Sequence, residues 1–442
     1  MTEVILKVIF FSIAGAVLSG FLACIPGLHI YSVLAVFAAG ACSPGADLPP
    51  EITVPFAAGL ITAYAMVNSI PSIILAAPEE SAIFTVLPGQ KYFMEGRGYE
   101  AVLLTAAGGA AALAGILSVC AVAGMRFLPA VRNVFTPHQH WVIWSVIAFM
   151  LMSEWPRGGN MGASGWRRFA KAWFPLGMGL FTFVLSGFLG FILFFRSPIA
   201  PENAFQNLMP AFTGLFAVPW LALNVMSRMQ APEQLLTARL PPFRGVLARG
   251  SLAGLLGGGF AAFFPVVTGG VGGLLAGHAV NVRDNRTFLV SQGASKLVYY
   301  AGGVLLFMTP QVHLTRGGGA WLIRSLHLPT ARYDFYMGLA AVAIAGAVSI
   351  VMIPFLTRLV IRLVRKAGYP LISGSALALI PVMVLALAGW QGLGVMVVSS
   401  ALGMVPVLFG SRRINCLGII LLPMACSMSG FGADAAAWLG LI

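Results

Sequence analysis

The chain has 442 residues, 59% of them hydrophobic and only 9% charged, a balance that excludes an ordinary soluble domain and marks a polytopic membrane protein. A formal net charge of +13 would point to nucleic acid in a soluble protein, but here the arginines fall between apolar runs, as cytoplasmic loops of a membrane protein require, so no nucleic-acid partner follows. Cys24, Cys42, Cys120, Cys416 and Cys426 are scattered, without metal-type or disulfide-framework spacing, and read as small apolar residues.

Taken in order, apolar runs near the length of a membrane span cover 53–77, 101–124, 173–195, 207–226, 287–309, 334–357, 371–390, 391–409 and 414–429, with a shorter one at 141–152. With the N-terminal run the expectation is an all-α fold of about ten to twelve transmembrane segments, multi-pass in the plasma (inner) membrane. Lys7 followed by an apolar run to Cys24 has the look of a signal peptide, but an internal repeat argues that it is retained.

Residues 14–26, AGAVLSGFLACIP, and 253–265, AGLLGGGFAAFFP, align without gaps and share Ala14, Gly15, Gly20, Phe21, Ala23 and Pro26 with their counterparts. Each copy is Gly-rich, broken at its proline and continued by another apolar stretch, the pattern of two helices folded into a re-entrant hairpin. Backbone freed at such a break must be buried in protein or line a cavity, and paired broken segments in two halves of a chain point to a transporter's binding site. An inverted repeat is expected, with 1–200 as the first half, 201–245 as a connecting helix and basic cytoplasmic loop, and 246–442 as the second half. Basic clusters at Arg157 to Lys171, Arg228 to Arg249, Arg358 to Lys366 and Arg412-Arg413 fall on one side when the hairpins enter from opposite faces; that side is predicted cytoplasmic.

The stretch from Ser69 to Glu100 breaks at Pro71 and Pro78, places Glu79 and Glu80 after a hydrophobic run, and turns through Pro88-Gly89 and a polar loop. Two adjacent carboxylates there read either as acids at a helix start, complementing its dipole, or as an ion-coupling site, because both cannot ionise cheaply in a poorly solvated place. Lys296 lies in the apolar run FLVSQGASKLVYY and would hold an anionic substrate or pair with a carboxylate. The predicted substrate-binding set is Pro26, Gly27, His29, Ser69, Pro265, Thr268, Gly269 and Lys296, with Glu79 and Glu80 for ion coupling. His29 reads as a packed residue, a donor to substrate or a proton relay. No metal ligand set and no catalytic group is expected: H-E-x-x-H, G-x-S-x-G and D-D-x-x-D are absent, which argues against an enzyme.

The segments Ser69-Ile70-Pro71-Ser72-Ile73-Ile74-Leu75, Ala77-Pro78, Leu87-Pro88-Gly89 and Glu95-Gly96-Arg97-Gly98-Tyr99-Glu100-Ala101 resemble TctA, the large permease subunit of tripartite tricarboxylate transporters. Ile25-Pro26-Gly27-Leu28 is similar to the P-G-L-G break of that family, and the second hairpin with Pro265 to its second copy. Where those permeases carry a neutral P-G-T-P-S, this chain has Pro78-Glu79-Glu80-Ser81, closer to the compact archaeal-type branch; His29 stands where the family has glycine. The resemblance implies a secondary transporter of an anionic, carboxylate-like molecule, alternating access around the two hairpins and coupled to H+ or Na+, with no cofactor. It also implies, beside the lipid bilayer, a small membrane subunit and an extracytoplasmic binding protein as partners. Phe264 to Gly270 is similar to the hairpin of a polyprenyl-phosphate transporter family, which keeps an anionic lipid carrier as an alternative cargo.

Overall fold

The structure is a computed structural model that describes residues 2–43, 48–77, 79–156, 164–200, 207–227, 231–237, 244–264, 266–282, 284–315 and 317–442. Pro78 and Pro265 lie outside the described residues, as do Arg157, Arg228 and Arg239. The described residues are helical and contain no strand: α1 (Thr2–Leu22), α2 (Ile30–Ala41), α3 (Pro50–Val67), α4 (Ser69–Ile74), α5 (Val86–Met94), α6 (Gly98–Phe135), α7 (Gln139–Met152), α8 (Gly165–Phe195), α9 (Met209–Phe212), α10 (Val218–Ser227), α11 (Arg244–Phe263), α12 (Gly269–Ala279), α13 (Asn285–Met308), α14 (Gly317–Leu326), α15 (Arg332–Ala367), α16 (Tyr369–Phe409), α17 (Gly418–Met428) and α18 (Gly432–Trp438).

Among the described residues, eight helical stretches are long and apolar enough to cross a membrane, nine if the bent pair at the C-terminus counts as one span. The protein is therefore the all-α polytopic membrane protein that its hydropathy announces. The runs 371–390 and 391–409 are joined in α16, which kinks at Gly389, a residue with φ 69°. The run 414–429 breaks: 413–428 and α18 meet at 117°, with Gly430 in the left-handed region at φ 88°. α13 is not among the eight; it carries Gln292, Ser295 and Lys296, all buried among its neighbours.

The chain divides into two compact units, each assembled from both halves of the sequence: residues 1–136 with 224–376, and 137–223 with 377–442. In the first unit the repeat reappears as packing. α1 lies on α3 and α15, and α11 lies on α13 and α6, so each hairpin's first arm packs on the helix that follows its own hairpin and on a long helix from the other half of the chain. α6 and α13 approach so closely that a Cβ on Gly108 would collide with the Val290 carbonyl and one on Gly293 with the Thr105 carbonyl, the small-residue contact by which membrane helices associate. The arms of each hairpin are unequal. α1 and α11, with 21 and 20 residues, are about 30 Å long at 1.5 Å per residue, while α2 and α12 have 12 and 11. The second arms also part company: α12 folds back on α11, whereas α2 packs on α14 and α3.

In the second unit, α17 packs on α8 and α7, and Trp144 Nε1 donates to Ser429 Oγ at 2.9 Å. A π-helical turn at Thr213–Ala217 separates α9 from α10. The buried Arg413 guanidinium lies 4.1 Å from the Trp220 ring centre and donates to the Phe216 carbonyl at 3.3 Å, while Glu154 accepts from the Arg412 amide and from Asn415 Nδ2.

An inverted duplication places the ends of α2 and α12 on opposite membrane faces. With the native cysteines replaced, a cysteine at Ser43 is expected to react with an impermeant maleimide from outside intact cells and one at Asn281 only after permeabilisation. Labelling of both from the same side would exclude the inverted arrangement.

Candidate functional site

The centre of the first unit is a break in its most buried helix. The window of α3 and α4 that qualifies as a span is wholly buried. After Ile74 the backbone leaves the helix through Leu75 and Ala76, the latter at φ 50°, and does not regain an α-helix until Val86. Carbonyls freed by such a break must find donors inside the protein. Gln90 Nε2 donates to Ile73 O at 2.6 Å and Asn224 Nδ2 to Leu75 O at 2.8 Å. With its backbone tied in this way, the segment holds Glu79 and Glu80 inside the protein, 8% and 7% exposed. Neither is a helix cap: the short turn at Ile83–Thr85 starts at Ala82 and has no side-chain cap.

The first hairpin supplies His29, the N-cap of α2, whose Nδ1 accepts the Tyr31 amide proton at 3.1 Å. The aligned position of the second hairpin, Thr268, caps α12 through its hydroxyl and the Val271 amide. The cap bond leaves His29 Nε2 free to face the acids, 3.0 Å from Glu79 Oε2 and 3.3 Å from Glu80 Oε1. From α13, Lys296 Nζ reaches Glu79 Oε1 at 2.7 Å and Asn68 Oδ1 at 2.8 Å and sits 5.4 Å from the Tyr64 ring centre. Tyr300, one turn further along α13, donates to Glu79 Oε2 at 2.7 Å. Ser81 Oγ donates to Glu79 Oε1.

His29, Glu79, Glu80 and Lys296, four of the residues singled out from the sequence, thus form one contact network. Gly269 packs against the backbone of Lys296 and its carbonyl accepts from Ser295 Oγ at 2.6 Å. Ser69 lines a small cavity with Lys296, Thr85, Thr105 and Gln292; a second small cavity is lined by Tyr31, Tyr299 and Tyr300. Each has room for about one water molecule. Among the described residues, neither amide atom of the buried Gln292 has a hydrogen-bond partner. Pro26 is buried at the first break and Gly27 turns there with φ 80°, neither in contact with the charged groups in any bond or ion pair above; Pro265 lies outside the described residues.

The site set expected from the sequence did not include Tyr64, Asn68, Ser81 or Tyr300. Helical spacing held the signal: Lys296 and Tyr300, and Tyr64 and Asn68, are four apart and so share a face. One ligand atom each of His29, Glu79 and Glu80 lies within 4.8 Å of the others, the geometry of a cation site, yet the Glu79 oxygens are already engaged by Lys296, Ser81, Tyr300 and His29.

A buried ion pair that loses one partner leaves an uncompensated charge, at a cost of about 3 to 5 kcal/mol. Lys296→Met is therefore expected to lower stability by roughly 3 kcal/mol, and Lys296→Met combined with Glu79→Gln to recover most of it, measured by thermal unfolding of the purified protein. A double variant as unstable as the sum of the single ones would show that the two groups are not coupled.

The chain matches the model of the tripartite tricarboxylate transporter TctA family over residues 9–418. An uncharacterized protein of Methanocaldococcus jannaschii is similar to it, 23% identical over 323 residues that cover 72% of this chain and 73% of the relative. No solved structure matches. A match over nearly the whole length, on a fold with eight or more apolar spans, makes the chain a multi-pass membrane protein of the TctA transporter family.

Proposed function

We propose that the protein is a secondary active transporter of an anionic, carboxylate-like small molecule, coupled to H+ or Na+, and not an enzyme. The observation that carries this reading is the buried network of two carboxylates, one lysine and one histidine, contributed by the first hairpin, the broken segment after α4 and α13, with the tip of the second hairpin packed on it. Charges at membrane depth are expensive and mark ion or substrate paths. Here they sit at broken backbone, where small shifts of a hairpin alter which donors they meet.

Lys296 supplies the positive charge for an anion, and the adjoining cavity offers the Ser69, Thr85 and Thr105 hydroxyls and the unpaired Gln292 amide. In this reading the substrate's carboxylate competes with Glu79 for Lys296, so that binding loosens the grip of α13 on the broken segment. An anion moved inward works against a cytoplasm-negative potential by about 2.3 kcal/mol per charge per 100 mV, and a co-transported cation offsets this. A small membrane subunit and an extracytoplasmic binding protein are the partners that the family's tripartite systems suggest.

The test is uptake into proteoliposomes of a panel of radiolabelled mono-, di- and tricarboxylates and a polyprenyl phosphate, with and without pH and sodium gradients. Gradient-dependent uptake of a carboxylate is expected, with Gln292→Ala raising KM about tenfold, the cost of roughly 1.4 kcal/mol for one lost hydrogen bond to a charged ligand, at little change in maximal rate. Uptake of the lipid phosphate alone would transfer the cargo assignment to a lipid carrier, and no gradient-dependent uptake of any member would count against secondary transport.

A further inference from the structure

The stretch between α10 and α11 does more than connect them. Residues 231–237 have no regular structure, yet Gln234 grips the turn that leads from α5 into α6. Its Nε2 donates to the Phe93 carbonyl at 2.8 Å and to the Pro232 carbonyl at 3.0 Å, and its Oε1 accepts the Gly98 amide proton at 2.9 Å. Phe93 lies in the last turn of α5 and Gly98 opens α6. Helix ends leave carbonyls and amides without partners inside the helix, and here one planar amide serves an end of each. The Leu235 amide adds a bond to the Gly96 carbonyl at 2.8 Å.

This grip gives a physical reason for the Glu95-Gly96-Arg97-Gly98 motif. Gly96 has φ 76°, and a Cβ on it would stand 2.7 Å from the Glu233 carbonyl oxygen; one on Gly98 would stand 2.9 Å from Gln234 Oε1. Both glycines leave room for the connector. At the other end of the broken segment, Asn224 of α10 donates to the Leu75 carbonyl at 2.8 Å. The segment 75–98, with Glu79 and Glu80 inside it, is thus held at one end by Asn224 and at the other by Gln234 and Leu235. α5 couples the two holds, because Gln90 on that helix donates to the Ile73 carbonyl just before the break. Arg97 and Arg286 both reach Glu100, at 2.8 and 3.6 Å, which ties the same turn to the start of α13, the helix of Lys296.

We infer that Gln234 is a positioning residue of the buried site: it clips the turn at 95–98 to the connector, and opening of this clip frees the segment that carries Glu79 and Glu80. The inference rests on the transport reading above for its purpose and deepens it by naming what holds the broken segment. Inside that segment the bonds are short-range, such as the Ala82 amide to the Glu79 carbonyl at 3.1 Å and the Thr85 amide to the Ala82 carbonyl at 2.9 Å. Turns of this kind fix local shape but not position, so the segment goes where its ends go. Gln234 reaches the acids only through α5. Loss of its bonds releases the C-terminal end of that helix and, through Gln90, the backbone at the start of the break.

Hydrogen exchange and thiol labelling of the full chain in lipid nanodiscs test this without a substrate. Gln234→Met keeps the length of the side chain and loses its bonds. In this variant, amide exchange in peptides covering 75–86 is expected to quicken about tenfold, the worth of roughly one hydrogen bond, while peptides of α1 and α11 stay unchanged. Ala82 is 1% exposed and lines the cavity beside Ser69 and Lys296. With the native cysteines replaced, Ala82→Cys is expected to react slowly with methyl methanethiosulfonate, and about tenfold faster when Gln234→Met is added. Leu235→Pro, at an exposed position, removes the amide that bonds Gly96 and is expected to move both readouts in the same direction. Faster exchange confined to residues 93–98 would make Gln234 a local helix cap and overturn the inference. An equal rise in every peptide, or unchanged labelling of Ala82→Cys, would overturn it too. If Gln234→Met does not fold, Leu235→Pro decides by the same criteria. Since no substrate is present, a failed uptake assay leaves this result standing, and exchange confined to 93–98 leaves the transport reading standing.

Discussion

The contact between Glu79 and Lys296 is the constraint around which the first unit is built. Bringing a carboxylate and an ammonium out of water costs several kcal/mol per ion, and mutual attraction offsets this only when geometry and additional hydrogen bonds are good. Both conditions are met through elements distant in sequence. The carboxylate is held by the tied-down break after α4, and the ammonium by α13, whose position depends on the close crossing with α6 at Gly108 and Gly293. Asn68, Ser81 and Tyr300 then fill the remaining hydrogen-bonding positions. A side chain larger than glycine at that crossing would push α13 outward and pull Lys296 off its partner, so helix packing and site electrostatics are one problem here.

The breaks themselves follow a single rule, that a polar backbone group deep in an apolar protein needs a donor or acceptor close at hand. Side chains answer it at each point: Gln90 and Asn224 on the carbonyls after α4, His29 on the first turn of α2, Thr268 on the first turn of α12. Threonine is an ordinary cap. Histidine in the equivalent place does the same backbone work and also brings a ring nitrogen to the acids, so the cap of the first hairpin and the charged network are the same residue. This is where the two copies of the repeat diverge in chemistry while each keeps a capped helix start after its break.

The two halves of the chain are interleaved. Neither compact unit is a contiguous half of the chain, and each long helix, α6 or α15, packs against the hairpin of the other half. Each hairpin's first arm is therefore held by helices from both halves. The second unit has its own buried polar group, Arg413, which lies over the Trp220 ring and donates to the Phe216 carbonyl.

The sequence by itself determined the class, the helical fold, the repeat and the family. These depend on local quantities, hydropathy over about twenty residues and proline and glycine at aligned positions, which act the same way wherever the chain goes. It also marked Glu79, Glu80, His29 and Lys296, because an ionisable group in an apolar run is costly enough to need a reason. The pairing of those groups was decided only in three dimensions. Lys296 and Glu79 are separated by most of a half-chain, and nothing local states that the lysine is already occupied or that Glu79, and not Glu80, receives the donors. The same holds for the joining of two runs in α16 at Gly389, the bend between α17 and α18, and the burial of α13. There the chain's own neighbours replace lipid or water as the surroundings, and a polar helix can be central because other helices shield it.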